Sequence, residues 1–425
     1  MKLKPLASKE SGGILVVTLV ISSLVGLMLA SYLKMVSSQN TYTFRSQVWN
    51  SAIPLCEAGV EEALAHLNAL GTNNNFAIRG WSLETNGYVR ERTLDDGTYR
   101  ATIDTNFPPI ITVQGKVRAP LQTAKYITRT VQVRTKWNYT YPQAILARSE
   151  IDLGGTSSRI DSFISTNIPG GQYSLLYARA EAPVACLATT PGKFDLANTK
   201  VHGRIGYSAP GNVIWNSGGV GDSLWLVLNS GIQTGHSVND LNLYVPDIVL
   251  PDNFGPVFAP SGRTVGGVAY KYVFDSGYYR MSTLVINNNE KALFLGNANV
   301  HVLGEMKVAS GGAIIIANTG DANLYVGGNV ELKGQGVANN RGYAANLAIN
   351  GLNTCTSVEY GGSSVFIGTI YAPRALVKIT GGIDMTGAIV ADRFDFKGGF
   401  KIHYDECIQG KAEIGRFLVA SWMEL

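Results

Sequence analysis

From Gly12 to Leu33 the chain carries no charged residue, and its apolar positions cover every side of a helix: "GGILVVTLVISSLVGLMLASYL". As an α-helix this run rises roughly 30 Å, about one hydrocarbon core. The helical pattern then continues past Lys34, with apolar residues at Trp49, Ala52, Ile53, Cys56, Val60, Ala63, Leu64 and Leu67 and with Glu57, Glu61 and Asn68 on the other side. This is the spacing of one buried stripe, and it predicts packing against a following sheet. Pro54 removes an amide within the stripe, and Gly71 with the asparagines after Thr72 predicts the stop.

The period changes to two over 76–137. Tyr88 to Leu94 and Thr98 to Ile103 flank "DDG", so a hairpin turning at Asp96-Gly97 is expected, followed by strands at Ile110 to Val117 and Tyr126 to Thr135. Together they predict a small antiparallel sheet. After Thr283 short apolar runs recur between Gly, Asn and Ser, among them "ALFLG", "AIIIA", "LYVGG", "SVFIGTIYA" and "GAIVA". Strands this short bury a core only when stacked, which is the logic of a right-handed parallel β-helix over 143–410 with a tail at 411–425.

Composition narrows the possibilities. The chain has 425 residues, 45% of them hydrophobic, and a net charge of +4, enough for more than one core and too dispersed to follow a phosphate backbone. Nucleic acid is therefore not an expected partner. Lys2, Lys4 and Lys9 precede the apolar run, which predicts a cytoplasmic N-terminus and an exported remainder. Cys56, Cys186, Cys355 and Cys407 contain no CxxC pair, which argues against zinc. Export permits disulfides, and the three possible pairings stay open.

A short basic leader, Gly12-Gly13 before Ile14, the continuous helix and "EAGVEEALAHLN" with a four-strand sheet resemble the N-terminal part of type IV pilin-like proteins, the PilX-type minor pilins above all. The resemblance implies prepilin peptidase cleavage between Gly13 and Ile14, a leader over 1–13, a membrane helix over 14–33 and an assembly rod over 34–70. It also implies a place in the bacterial inner membrane, a periplasmic or filament-borne bulk, and other pilin or pseudopilin subunits as partners. Major pilins carry Glu at the fifth mature position; Thr18 stands there in this chain, as in a subunit with no neighbour above it.

The segment 368–406 resembles a domain found at the C-terminus of large bacterial pilus-assembly and surface-anchored proteins. Its matching residues are Tyr371-Ala372-Pro373, Gly387 with "AIV", and His403-Tyr404-Asp405-Glu406. The resemblance implies a β-helix domain of unassigned molecular function, with no established catalytic residues to carry over, and no cofactor is expected. His403 with Asp405 on one strand face, and Tyr404 with Glu406 on the other, suggest a structural lock closing the last coil rather than an acid–base site. Two functions are compatible with the sequence. One is a structural or adhesive minor pilin of a pilus or secretion pseudopilus, with the β-helix displayed toward a surface polysaccharide or host ligand. The other is a membrane-tethered, carbohydrate-active or carbohydrate-binding β-helix.

Overall fold

The computed structural model describes residues 11–70, 76–94, 97–119, 125–138, 141–156, 158–241, 243–334, 336–362, 365–410 and 416–425. The chain divides into two compact units, one ending at Asn138 and completed by 415–425, the other spanning Tyr139–Ile414.

The first unit begins with the helix Ser11–Leu70, 60 residues long, or about 90 Å at 1.5 Å per residue. Among the described residues it is the one helix long and apolar enough to cross a membrane. From Ile14 to Leu33 its large apolar side chains are exposed all round. Hydroxyls in the exposed part, Thr18, Ser23, Thr41 and Thr43, donate to carbonyls three or four residues back, so they add no unpaired donor to an apolar surface. The helix continues through Pro54. Beyond it, Ala52, Cys56, Val60, Ala63 and Leu67 are buried while Glu57 and Glu61 stay exposed, as the stripe predicts.

That stripe packs on an antiparallel sheet of six strands: Ser82–Glu84, Gly87–Leu94, Gly97–Ile103, Ile110–Arg118, Tyr126–Asn138 and Arg416–Glu424. Tyr99, Ala101, Ile103, Ile111, Val113, Val131 and Val133 form the facing core. Two details differ from the sequence reading. Leu94 lies opposite Gly97, so Gly97 belongs to the second strand; Asp96, the other residue of the expected turn, falls outside the described residues. The stop expected at Gly71 also lies outside them. The expected tail at 411–425 contains a strand, Arg416–Glu424, antiparallel to Tyr126–Asn138. Helical Asn68 accepts from the Phe417 amide (2.7 Å) and donates to its carbonyl (3.1 Å). A nine-residue segment whose partner lies almost 300 residues away carries no local sign of this pairing.

The second unit is mainly β, and its extended ladders are parallel. Gly277 lies opposite Ala298, Ala298 opposite Ala322, Ala322 opposite Leu347, and Ala348 opposite Thr369. Two further ladders run beside it, one through Leu284, Met306, Val330 and Val358, the other through Ala292, Ile314 and Val337. Inward residues of all three fill one apolar interior. Not every strand is short: Val365–Thr380 and Asp384–Lys397 are 16 and 14 residues long. Each stays long by turning a corner, and the register between them shifts between Ala372 and Leu376. Pro373 sits in that gap, where a missing amide costs no ladder bond.

Stacking order is not chain order. Ile145–Leu153 has Asp384–Lys397 on one side and Ala182–Cys186 on the other. The stack runs on from there through Lys200–Tyr207 to Ser237–Val238. The chain therefore enters the stack in its middle, builds one half, and returns from the opposite end through Tyr272 to Asp405 to meet its own first strands. The segment 244–258 lies along that return: the Pro246 carbonyl accepts from Tyr371 (2.7 Å), and Phe254 packs edge-on to Tyr278, His301 and Tyr325.

Candidate functional site

The meeting of early and late strands holds the densest buried polar cluster of the second unit. Lys401–Asp405 pairs in parallel with Arg159–Phe163, which sets Ile402 opposite Ile160 and His403 opposite Asp161. The next strand continues the row, because Val201 lies opposite Ile160. Alternation sends the Ile and Val side chains inward and puts His403, Asp161 and His202 on the outer face. Side chains on that face normally meet water, but these three are buried.

Asp161 explains why they can be. Its carboxylate accepts from His403 Nδ1 (2.5 Å), Arg159 Nε (2.6 Å) and the Tyr173 hydroxyl (2.7 Å). The Tyr173 ring lies on the imidazole with centroids 3.4 Å apart and planes 12° from parallel. Burial opposes ionisation of Asp161, yet the hydrogen bond and charge of His403, with Arg159 and Tyr173, hold its pKa below the usual carboxylate value. Burial likewise opposes protonation of His403, and Asp161 followed by Asp384 overcomes it, so that pKa is raised. His403 Nε2 is 3.2 Å from Asp384 Oδ1, an ion-pair distance, but finds no well-aligned hydrogen bond there. His202 has no such partner. Burial, then Arg159 and Lys200, push its pKa down to about 4, and its Nδ1 lies 2.9 Å from Ser223 Oγ.

The rest of the motif has separate tasks. Tyr404 points inward and donates to the Tyr141 carbonyl (2.8 Å). Asp405 accepts the amides of Ser165 and Cys407, each at 3.1 Å. Glu406 leaves the strand for a 3-10 turn and takes Ser162 Oγ and Arg179 Nε, each at 2.8 Å, so it does not share Tyr404's face as expected. General acid–base work needs a substrate within hydrogen-bond reach of the imidazole. Here Asp161 takes Nδ1, Asp384 stands beside Nε2 and Tyr173 covers a face of the ring. Among the described residues no group of three His, Cys, Asp or Glu is poised for a metal. Chemically the arrangement is a charged lock between two distant stretches of chain.

The other residues singled out by the sequence are placed as follows. Tyr371 and Ala372 are buried in the ladder, and the Pro373 carbonyl accepts from Arg148 (3.2 Å). Gly387 faces Gly368 across the ladder with φ 138°, and a Cβ there would run into the Gly368 carbonyl oxygen. Gly13 and Ile14 lie in the first turn of the long helix, with open space around Gly13. All four cysteines are free, three of them buried, so the bridge that export would permit is not made. On the helix it is neither Glu57 nor Glu61 but Glu62 that binds the sheet. It accepts from Tyr99 (2.5 Å) and Arg92 (2.8 Å) and has Arg90 at 3.3 Å. Sequence reasoning missed Glu62, Asp161, Arg159 and Tyr173: Glu62 and Asp161 meet their sheet partner and His403 across 37 and 242 positions, and the neighbours Arg159 and Tyr173 gain a role only through Asp161.

A family described as a domain of unknown function, DUF7305, matches residues 261–411. The match takes in the returning half of the stack and His403-Tyr404-Asp405-Glu406, and omits the strands from Ile145 to Val238 on which they close. No curated protein and no solved structure matches the chain.

Proposed function

We propose that the protein is a structural, minor pilin-like subunit of a type IV pilus or related secretion pseudopilus. Its helix is anchored in the inner membrane before assembly, and its second unit is a right-handed parallel β-helix displayed for surface or partner binding. The observation that carries this reading is the change of character along one unbroken helix: apolar on all sides from Ile14 to Leu33, then buried along a single stripe against an antiparallel sheet. A rod of that kind serves first as anchor and then as packing element. The β-helix reading is supported by the stepwise parallel register, and its hand by the strong right-handed preference of parallel crossovers. Thr18 supports a tip or minor position, since its hydroxyl is satisfied by the Leu15 carbonyl (2.9 Å) and seeks no neighbour.

Membrane-extracted protein is expected to begin at or within one residue of Ile14 on N-terminal sequencing; an intact Met1 or a cut beyond Leu33 removes the proposal. Antibody against the second unit is expected to label one end of purified filaments, with Thr18→Glu giving no better incorporation. Label spread along the shaft would contradict a tip position.

A further inference from the structure

The second unit contains a cleft of about 600 Å³, within the range of small-ligand sites, lined by Gly170, Gln172, Asn318, Asn340, Arg341 and Tyr343 among others. Two loops build it. The stretch that follows the turn Ser165–Asn167 reaches the turn after Val337–Asn339, and they touch with no room for larger residues. Gly171, at φ 71°, faces the Tyr343 ring so closely that a Cβ would lie 2.6 Å from it. The second turn is held from within, because Asn339 Nδ2 donates to the carbonyls of Tyr343 (2.9 Å) and Ile367 (3.1 Å) and its Oδ1 accepts the Arg341 amide (3.1 Å). The walls are thus set before any ligand arrives.

The chemistry of the walls selects the ligand class. Arg341 is the lone cation among these residues, and its Nη1 already lies 2.9 and 3.0 Å from the two carboxylate oxygens of Asp321. An anion would have to compete for that guanidinium, and a cation for that carboxylate. What remains are the side-chain amides of Gln172, Asn318 and Asn340, exposed and without a side-chain hydrogen bond among the described residues. Each amide offers donors and an acceptor with no net charge. An apolar ligand would strand them, whereas hydroxyl and acetamido groups satisfy both kinds.

We propose that this cleft binds a neutral glycan, one or two sugar units long. The site deepens the reading of the second unit as a displayed binding module and rests on it for its setting. The test uses the full chain in a zwitterionic detergent, titrated calorimetrically with cellobiose, maltose and N,N′-diacetylchitobiose, each up to roughly 10 mM. At least one is expected to bind, and Asn318→Ala and Asn340→Ala are each expected to weaken it by about tenfold or more, while Asn216→Ala, on an exposed loop elsewhere, leaves it unchanged. Digalacturonate is titrated beside them as the charged counterpart; no binding of any of the three neutral sugars, binding indifferent to both cleft substitutions, or tighter binding of digalacturonate would each overturn the site. No filament is needed for this measurement, so end-labelled filaments without sugar binding would remove the site alone, and sugar binding by a protein with an intact Met1 would remove the assembly reading alone.

Discussion

In the first unit the late strand Arg416–Glu424 is added to a sheet edge by a backbone ladder, with Asn68 gripping Phe417 and an exposed Arg129–Glu424 ion pair at its end. In the second unit the late strand Lys401–Asp405 enters between others and is fixed by a buried carboxylate with three donors, of which His403 is buried and Arg159 and Tyr173 are half-buried. Both are closures across most of the chain, yet the acceptor of the first, Glu424, is exposed and that of the second, Asp161, is fully buried. An edge strand has one neighbour to satisfy, so its side chains are free to be modest. An interior strand must satisfy two, and any charge on it must be paired in place.

The comparison breaks most visibly at Asp161. Asp161→Ala leaves Arg159, His403 and Tyr173 without their common acceptor, and is expected to cost the second unit about 3–5 kcal/mol, the usual penalty for halving a buried pair. Denaturant unfolding of the full chain should show the second unit's transition move while the helix-rich transition stays. A shift under about 1 kcal/mol would mean that the lock is ornamental.

Gly387→Ala comes next. The side chain would be forced to a positive φ and against a ladder carbonyl, so a loss of about 2 kcal/mol or more is expected from strain and a disturbed pairing. A melting temperature equal to the parent's would show that Asp384–Lys397 can shift at no cost.

The two histidines sharpen the same contrast through pH, with opposite signs. His403 is raised in the folded state, so its contribution is complete below the unfolded value near 6.5 and is lost as pH rises through its folded pKa. Asp161 is lowered, so its share is present above about 3.8 and lost as pH falls through its folded value. His202 is depressed to about 4, so from 6.5 downward the unfolded chain takes up a proton that the folded chain refuses, and stability declines toward 4. Replacing it, His202→Gln, should flatten that acid limb in a series of melts between pH 7 and about 4. An unchanged limb would assign the acid sensitivity to other groups.

The smallest change is expected at the edge. Arg129→Ala removes the pair with Glu424 and the guanidinium over Trp49, at 4.9 Å, yet leaves the ladder whole. The helix-rich transition should stay within the scatter of repeated melts; a large shift would make the first closure as dependent on charge as the second.

Much of the first unit was legible because its signals are local. The three-and-four spacing from Ala52 to Leu67 identifies the buried stripe, and alternation at Val131 and Val133 identifies an inward face. In the second unit alternation again gives the faces, but a parallel strand is defined by a neighbour that no nearby residue announces. His403 and Asp161 are separated by 242 positions, and nothing between them marks the pairing. Face alternation gives the side of the sheet on which His403 lies, but pairs it with Asp405, which takes backbone amides, and not with Asp161. The same distance hid the order of the stack, since the short apolar runs that recur after Thr283 carry no sign of which strands from 143 onward they pair with.

The second unit is inserted between two strands that lie side by side in the first, Asn138 being opposite Arg416. Its chain therefore leaves the sheet at one strand and comes back to the adjacent one, a loop with both ends tied to the same support. A protease that nicks an exposed stretch such as 174–177 would produce two fragments, each still joined covalently to a strand of the sheet. Where a module joined by a single linker is lost at the first cut, this one has to be cut twice before anything it holds is released.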